Sequence, residues 1–159
     1  MHPPANVEKM SRGIPLCDED RWGWLAASRS AAEVKLAEGL KTKGATNGVV
    51  LTCSSLKRAY RDILRGVAQA PVPGLDSIPS TVAIPAIRTV FVYITGPEPV
   101  LFERVEGRKG HFFKSNMLRS QLDALEPPKG EDGVITVDVR WPTEEQVVHV
   151  LNDLNLARK

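Results

Sequence analysis

The chain has 159 residues, 42% of them hydrophobic and 25% charged, which is the composition of a folded domain and not of a disordered segment. Its 21 basic and 19 acidic residues leave a net charge of +2, so no global field calls for nucleic acid or a membrane surface. The length suits one hydrophobic core, no apolar run approaches the roughly 18 residues of a membrane span, and the opening Met1-His2-Pro3-Pro4 does not read as a signal peptide.

From the amino end, a helix is predicted from about Asp20 to Lys43, where Trp24, Leu25, Ala32, Leu36 and Leu40 recur at helical spacing. Residues 48–53 (GVVLTC) read as a strand, and a second helix follows from near Leu56. Residues 68–88 carry Pro71, Pro73, Gly74, Pro79 and Pro85, which forbid regular structure and predict an exposed, inserted loop. A strand over 89–94, a helix from near Glu98, a helix over about Ser115 to Leu125 and a strand over 134–139 come next. Thr143-Glu144-Glu145-Gln146 reads as a capping box, opening a last helix with Val147, Leu151 and Leu154 on one face. The three strands are nearly continuous apolar runs rich in β-branched residues, as in parallel sheets covered on both faces. Their alternation with helices predicts an α/β domain with right-handed crossovers. Cys17 and Cys53 form no CxxC or zinc pattern and are expected as reduced thiols of a cytoplasmic protein.

Ligands of open α/β sheets bind beyond the carboxyl ends of the strands, which directs attention to the stretches after Cys53, Ile94 and Val139. Lys57, Arg61 and Arg65 fall at i, i+4 and i+8 on one helix face and are expected to lack acidic neighbours there. An anion at the helix N-terminus would offset their repulsion, although a solvated charged face reads the same way. Arg104 and Arg108 repeat the pattern and lead into Lys109-Gly110-His111-Phe112-Phe113. Guanidinium forks suit polyphosphate oxygens, and Gly107 and Gly110 would let the segment hinge as a lid; surface charge beside a loop is the plain alternative. His111 is a ligand group, a proton carrier or a turn residue. Asp18 or Asp20 is placed to cap the long helix. Arg21, in the first turn of that helix, is disfavoured by the helix dipole, and a substrate carboxylate is its natural partner. Trp22 and Trp24 are expected to pack. His2, His111 and His149 are too scattered for a metal site, and GxSxG, HExxH and a GxGxxG after a strand are all missing.

Several ordered stretches carry a resemblance. They are His2-Pro3 with Asn6, Glu8-Lys9-Met10, Gly13-Ile14-Pro15-Leu16, Asp18-Glu19-Asp20-Arg21 and Trp24-Leu25 in the first part of the chain. Cys53-Ser54-Ser55-Leu56-Lys57 with Tyr60-Arg61-Asp62, Arg108 to Phe113, Ser120-Gln121 and Leu125-Glu126-Pro127-Pro128 complete them. Together they resemble the gluconokinase family of small P-loop kinases over nearly the whole chain, apart from the proline-rich loop. Ser55 stands where the family usually has Ala, and Gly23 where it usually has Pro.

The resemblance implies a P-loop kinase-like parallel sheet with flanking helices and transfer of the γ-phosphoryl of ATP, with Mg²⁺, to D-gluconate, giving 6-phosphogluconate. It implies a sugar-acid pocket lined by the His2–Arg21 segment and the Cys53–Arg61 stretch, with His2, Arg21, Lys57, Arg61 and His111 as substrate contacts. Arg104 and Arg108 would be the catalytic cations, and Arg108, Arg140 and Pro142 would meet the nucleotide. No protein-bound metal site is implied, and a homodimer is compatible with it. Family members place a strand, a GxxxxGK[ST] loop, a helix and a second strand with an acidic motif just before His-Pro. Here the GxxxxG from Gly39 to Gly44 lacks the lysine and leaves a helix to enter a strand, the reverse of the required order. Residues 1–159 are therefore expected to form one truncated domain missing those four elements, with two inner strand edges unpaired and weak kinase activity at best. A non-catalytic remnant that binds gluconate or a partner chain is the alternative.

Overall fold

A computed structural model describes residues 2–41, 48–71, 87–107 and 115–156. In chain order these form α1 (Pro4–Ser11), α2 (Glu19–Leu40), α3 (Arg58–Arg65), β1 (Phe91–Thr95), α4 (Glu98–Glu106), α5 (Ser115–Ala124), β2 (Val134–Asp138) and α6 (Thr143–Asp153). β1 and β2 pair in parallel, from Phe91 against Val134 to Thr95 against Asp138, with α4 and α5 in the connection between them. This is the expected α/β arrangement, its element ends shifted by one to three residues.

The principal core lies between α2 and α3. Leu25, Leu56, Tyr60, Ile63 and Leu64 are buried together, with Trp22, Trp24, Cys53 and Phe91 packed against them, so both tryptophans pack as expected. α1 has no counterpart in the sequence reading; Pro4 opens it with a pre-set φ, and its Met10 is buried with Leu16 and with Met117 of α5. Val137 of β2 is fully buried. Gly96, just after β1, makes room for Val139: a Cβ at Gly96 would lie 2.5 Å from Val139 Cγ1, and a β-branched side chain cannot turn aside cheaply. Gly96→Ala is expected to lower stability by about 1–3 kcal/mol, read from the denaturation midpoint.

Three expectations are corrected. Residues 48–53 join no ladder among the described residues, and Val50 is 96% exposed, with Val49 and Leu51 also exposed. Val92 and Ile94 of β1 are exposed as well. Apolar, β-branched residues form a strand only where a neighbour supplies backbone partners and a packing face; among the described residues no strand pairs with 48–53, and of this run only Cys53 packs against the core. The capping box does not form: Pro142 holds the N-cap of α6, Thr143 is already helical, and Gln146 Nε2 donates to the Trp141 carbonyl at 2.8 Å. Val147 and Leu151, which share one face of α6, are exposed. Of the proline-rich stretch, residues 72–86 lie outside the described residues. No described helix is long and apolar enough to cross a membrane.

Candidate functional site

The starts of α2 and α3 are joined by an ion pair. Asp18 occupies the N-cap position of α2 but does not cap it; its two oxygens accept Lys57 Nζ at 2.7 and 2.8 Å, and one also accepts the Tyr60 hydroxyl. Lys57 is itself the N-cap residue of α3. The Lys57 and Tyr60 hydrogen bonds hold the Asp18 carboxyl below the usual carboxylate range, while burial and the Asp18 contact push the Tyr60 hydroxyl well up. Asp20, at the entrance of the helix, does not cap it either, so the expected cap is absent: its Oδ2 accepts the N–H of Cys17, before the helix, at 2.9 Å and Lys9 Nζ at 2.6 Å. Lys9 leads the causes that pull Asp20 from 3.8 to about 2. The Cys17 thiol donates to the same oxygen, which pushes the thiol pKa up. Buried Asn6 donates from Nδ2 to the Asp20 carbonyl at 2.7 Å and so locks α1 onto this entrance.

Within this frame sits Arg21, only 8% exposed. No carboxylate lies within ion-pair distance of it among the described residues. Its hydrogen bond, from Nη2 to the Leu16 carbonyl, is a long 3.4 Å, and its guanidinium carbon lies 5.8 Å from the Tyr60 ring centre. A guanidinium has five N–H donors, so most of its capacity is unspent. Beside it His2 stacks on Trp24 at 3.9 Å between centroids, and His2 Nδ1 is buried without a partner. Burial and then the Arg21 charge lower the His2 pKa, which leaves a neutral ring with one donor and one acceptor at neutral pH. Arg21, Lys57 and Asp18 together carry two positive charges and one negative, and Lys9 is neutralised by Asp20. The Arg21–Lys57–Asp18 group taken by itself therefore carries one net positive charge.

The other predicted cations stand differently. Arg61 is 2% exposed, and all five of its donors are used within the protein. Nε reaches Glu131 at 3.0 Å, Nη1 the carbonyls of Ser55 and Leu56 at 2.7 and 3.2 Å, and Nη2 the Glu126 carbonyl at 3.0 Å and the second Glu131 oxygen. The expectation that Arg61 contacts substrate is therefore corrected: it holds the frame and has no donor left. Arg65 was expected without an acidic neighbour, yet Asp62 three residues earlier pairs with it at 3.1 Å and Glu131 at 2.9 Å. At the N-terminus of α3, where an anion and a solvated charged face are the two readings, the protein's own Glu126 Oε2 accepts the Arg58 N–H at 2.6 Å. Glu126 and Glu131 escaped the sequence reading because a helical-neighbour test looks four residues away and these lie 65 to 70 residues away.

Arg61 leads the causes that pull Glu131 from 4.5 to about 2. A carboxylate depressed on folding contributes stability that is complete above its unfolded value and is lost as pH falls through its folded value. The denaturation midpoint is expected to decline between about pH 4.5 and pH 2, and Glu131→Gln to flatten that decline.

Arg104 is exposed on α4 and makes no ion pair among the described residues. Arg108 and His111, with the expected lid, lie outside the described residues. Arg140 follows β2 and is clasped by Asp138, Nη2 to Oδ2 at 2.6 Å, and Pro142 is exposed at the start of α6. Gly39 lies in the last turn of α2. No group of three His, Cys, Asp or Glu side chains among the described residues is placed to hold a metal ion. These residues do not fit a cradle for Mg²⁺ and a nucleotide's β-phosphate.

Comparison with known proteins bears on this arrangement. No family model matches the chain. A probable gluconokinase of Schizosaccharomyces pombe is 38% identical over 158 residues, covering 97% of this chain and 72% of the relative. The gluconokinase of Gluconobacter oxydans is 40% identical over 137 residues, covering 86% of this chain and 63% of the relative. A crystal structure of a gluconokinase from Sinorhizobium meliloti superposes with a TM-score of 0.69 at 41% identity, over 97% of this chain and 72% of that one. Likeness of this extent, in sequence and in fold, shows that the chain belongs to the gluconokinase family.

Proposed function

We propose that this chain binds D-gluconate at the junction of α1, α2 and α3, as the sugar-acid side of ATP-dependent phosphorylation to 6-phosphogluconate. The buried, acid-free Arg21 carries the reading. A guanidinium taken out of water without an anion is costly, and a bound carboxylate removes the cost with bidentate hydrogen bonds. A monoanionic sugar acid also supplies the one negative charge that the Arg21–Lys57–Asp18 group lacks. Its hydroxyls suit the remaining partners: Asp18 as acceptor, the third Lys57 N–H as donor, and neutral His2 with its orphaned Nδ1 as either.

In the transfer, the γ-phosphorus bonds to a gluconate hydroxyl oxygen as its bond to the bridging oxygen of ATP breaks, ADP leaves, and the hydroxyl proton passes to solvent. Arg104, exposed and unpaired among the described residues, is assigned to the transferred phosphoryl together with Arg108. Arg140 and Pro142, beyond the carboxyl end of β2, are assigned to the nucleotide and His111 to the substrate. Calorimetric titration with gluconate and a coupled assay for 6-phosphogluconate with ATP and Mg²⁺ test the proposal. Gluconate binding with turnover supports it in full. Binding without turnover restricts residues 1–159 to the sugar-acid pocket, and no binding overturns it.

A further inference from the structure

We propose that Glu131 is a positioning residue for the sugar-acid site, acting through Arg61 on the turn that presents Lys57; the inference rests on the gluconate pocket proposed above. Lys57 is delivered by residues 54–56, where Ser55 has φ +42°, a left-handed conformation that a residue with a Cβ adopts only when its surroundings impose it. The surroundings are Arg61 and the 126–131 segment. Arg61 Nη1 binds the carbonyls of Ser55 and Leu56, and the Glu126 N–H also reaches the Leu56 carbonyl at 2.8 Å. Arg61 is aimed in turn by Glu131, which takes both Nε and Nη2 in a fork and leaves Nη1 pointing at the turn. Side-chain exposures of 3% for Arg61 and 10% for Glu131 keep water from replacing either partner.

Arg65 fixes Glu131 from the other side at 2.9 Å, and its guanidinium lies over the Phe91 ring at 4.8 Å. The carboxylate is thus pinned between α3 and the start of β1, and any slackening there passes through one side chain to the strained turn. Glu131 touches neither Asp18 nor Lys57, so its influence on the ligand is indirect and separable from contact.

The test uses Glu131→Gln, which keeps the shape and removes the charge. Expected results are a gluconate affinity about tenfold weaker, with exchange of the Arg58 and Glu126 amides about tenfold faster and a cooperative unfolding transition still present. Should Glu131→Gln unfold, Glu131→Asp, which keeps the charge and withdraws it by one methylene, is expected to show both effects at about threefold. An Arg29→Gln control, which removes the Arg29–Glu33 pair at 2.6 Å and the bond to the Leu64 carbonyl without touching Glu131, is expected to lower the melting temperature and leave gluconate affinity unchanged. Glu131 variants with lowered melting temperature but unaltered affinity, or with unaltered amide exchange, overturn the proposal. If the unsubstituted chain binds no gluconate, the pocket reading fails, while the exchange rates still decide whether Glu131 holds the turn.

Discussion

Arg21→Met is expected to remove gluconate binding while leaving the chain folded. Truncating one partner of a buried, hydrogen-bonded charge pair costs about 2–5 kcal/mol, so affinity falls by a factor of roughly 30 to several thousand. The free protein behaves in the opposite sense. Among the described residues Arg21 has no acid to lose and one side-chain hydrogen bond, 3.4 Å long, and Met retains the apolar stem against Tyr60. Removal of an uncompensated buried cation therefore leaves the melting temperature unchanged or higher, the pattern of a site that sacrifices stability for its ligand. Arg21→Lys keeps the charge, loses the fork, and falls between the two. Titration and thermal unfolding on the same samples check this; a variant with a lowered melting temperature and unchanged gluconate affinity would make Arg21 a structural residue.

The largest stability loss is expected at Arg61→Met. The substitution leaves Glu131 buried with one of its two cations gone and strips partners from the carbonyls of Ser55, Leu56 and Glu126. Breaking a buried pair from one side costs about 3–5 kcal/mol, a large share of the ~5–15 kcal/mol that holds a domain together. Chemical denaturation is expected to show the midpoint collapse. Arg104→Met, at an exposed residue without an ion pair among the described residues, shifts stability by no more than about 0.5 kcal/mol. The contrast separates two arginines that looked alike as cations without helical acidic neighbours.

That contrast also shows what the sequence contains. Helices α2 to α5 and both paired strands were readable because their periodicity and turn residues are local. Arg21 was readable because a cation in a helix's first turn is anomalous on local grounds alone. The Asp62 partner of Arg65, three residues away, stood in the sequence and was passed over. The roles of Lys57 and Arg61 were not readable: their partners Asp18, Glu126 and Glu131 come from segments 39 to 70 residues away, which no pattern within one helix reveals. The failed strand at 48–53 has the same cause. β-branched composition reports suitability for a ladder, and the ladder itself depends on a neighbouring strand.

The tie between Arg61 and Glu131 closes a ring of chain 70 residues around, and closing a ring costs entropy before any contact repays it. Lys57 is therefore set in place late in folding, when the two ends of that ring have found one another. If the proposed pocket binds gluconate, a half-folded molecule offers no half-strength version of it: gluconate would meet a finished pocket or none, and its binding energy would be spread over the domain as resistance to unfolding.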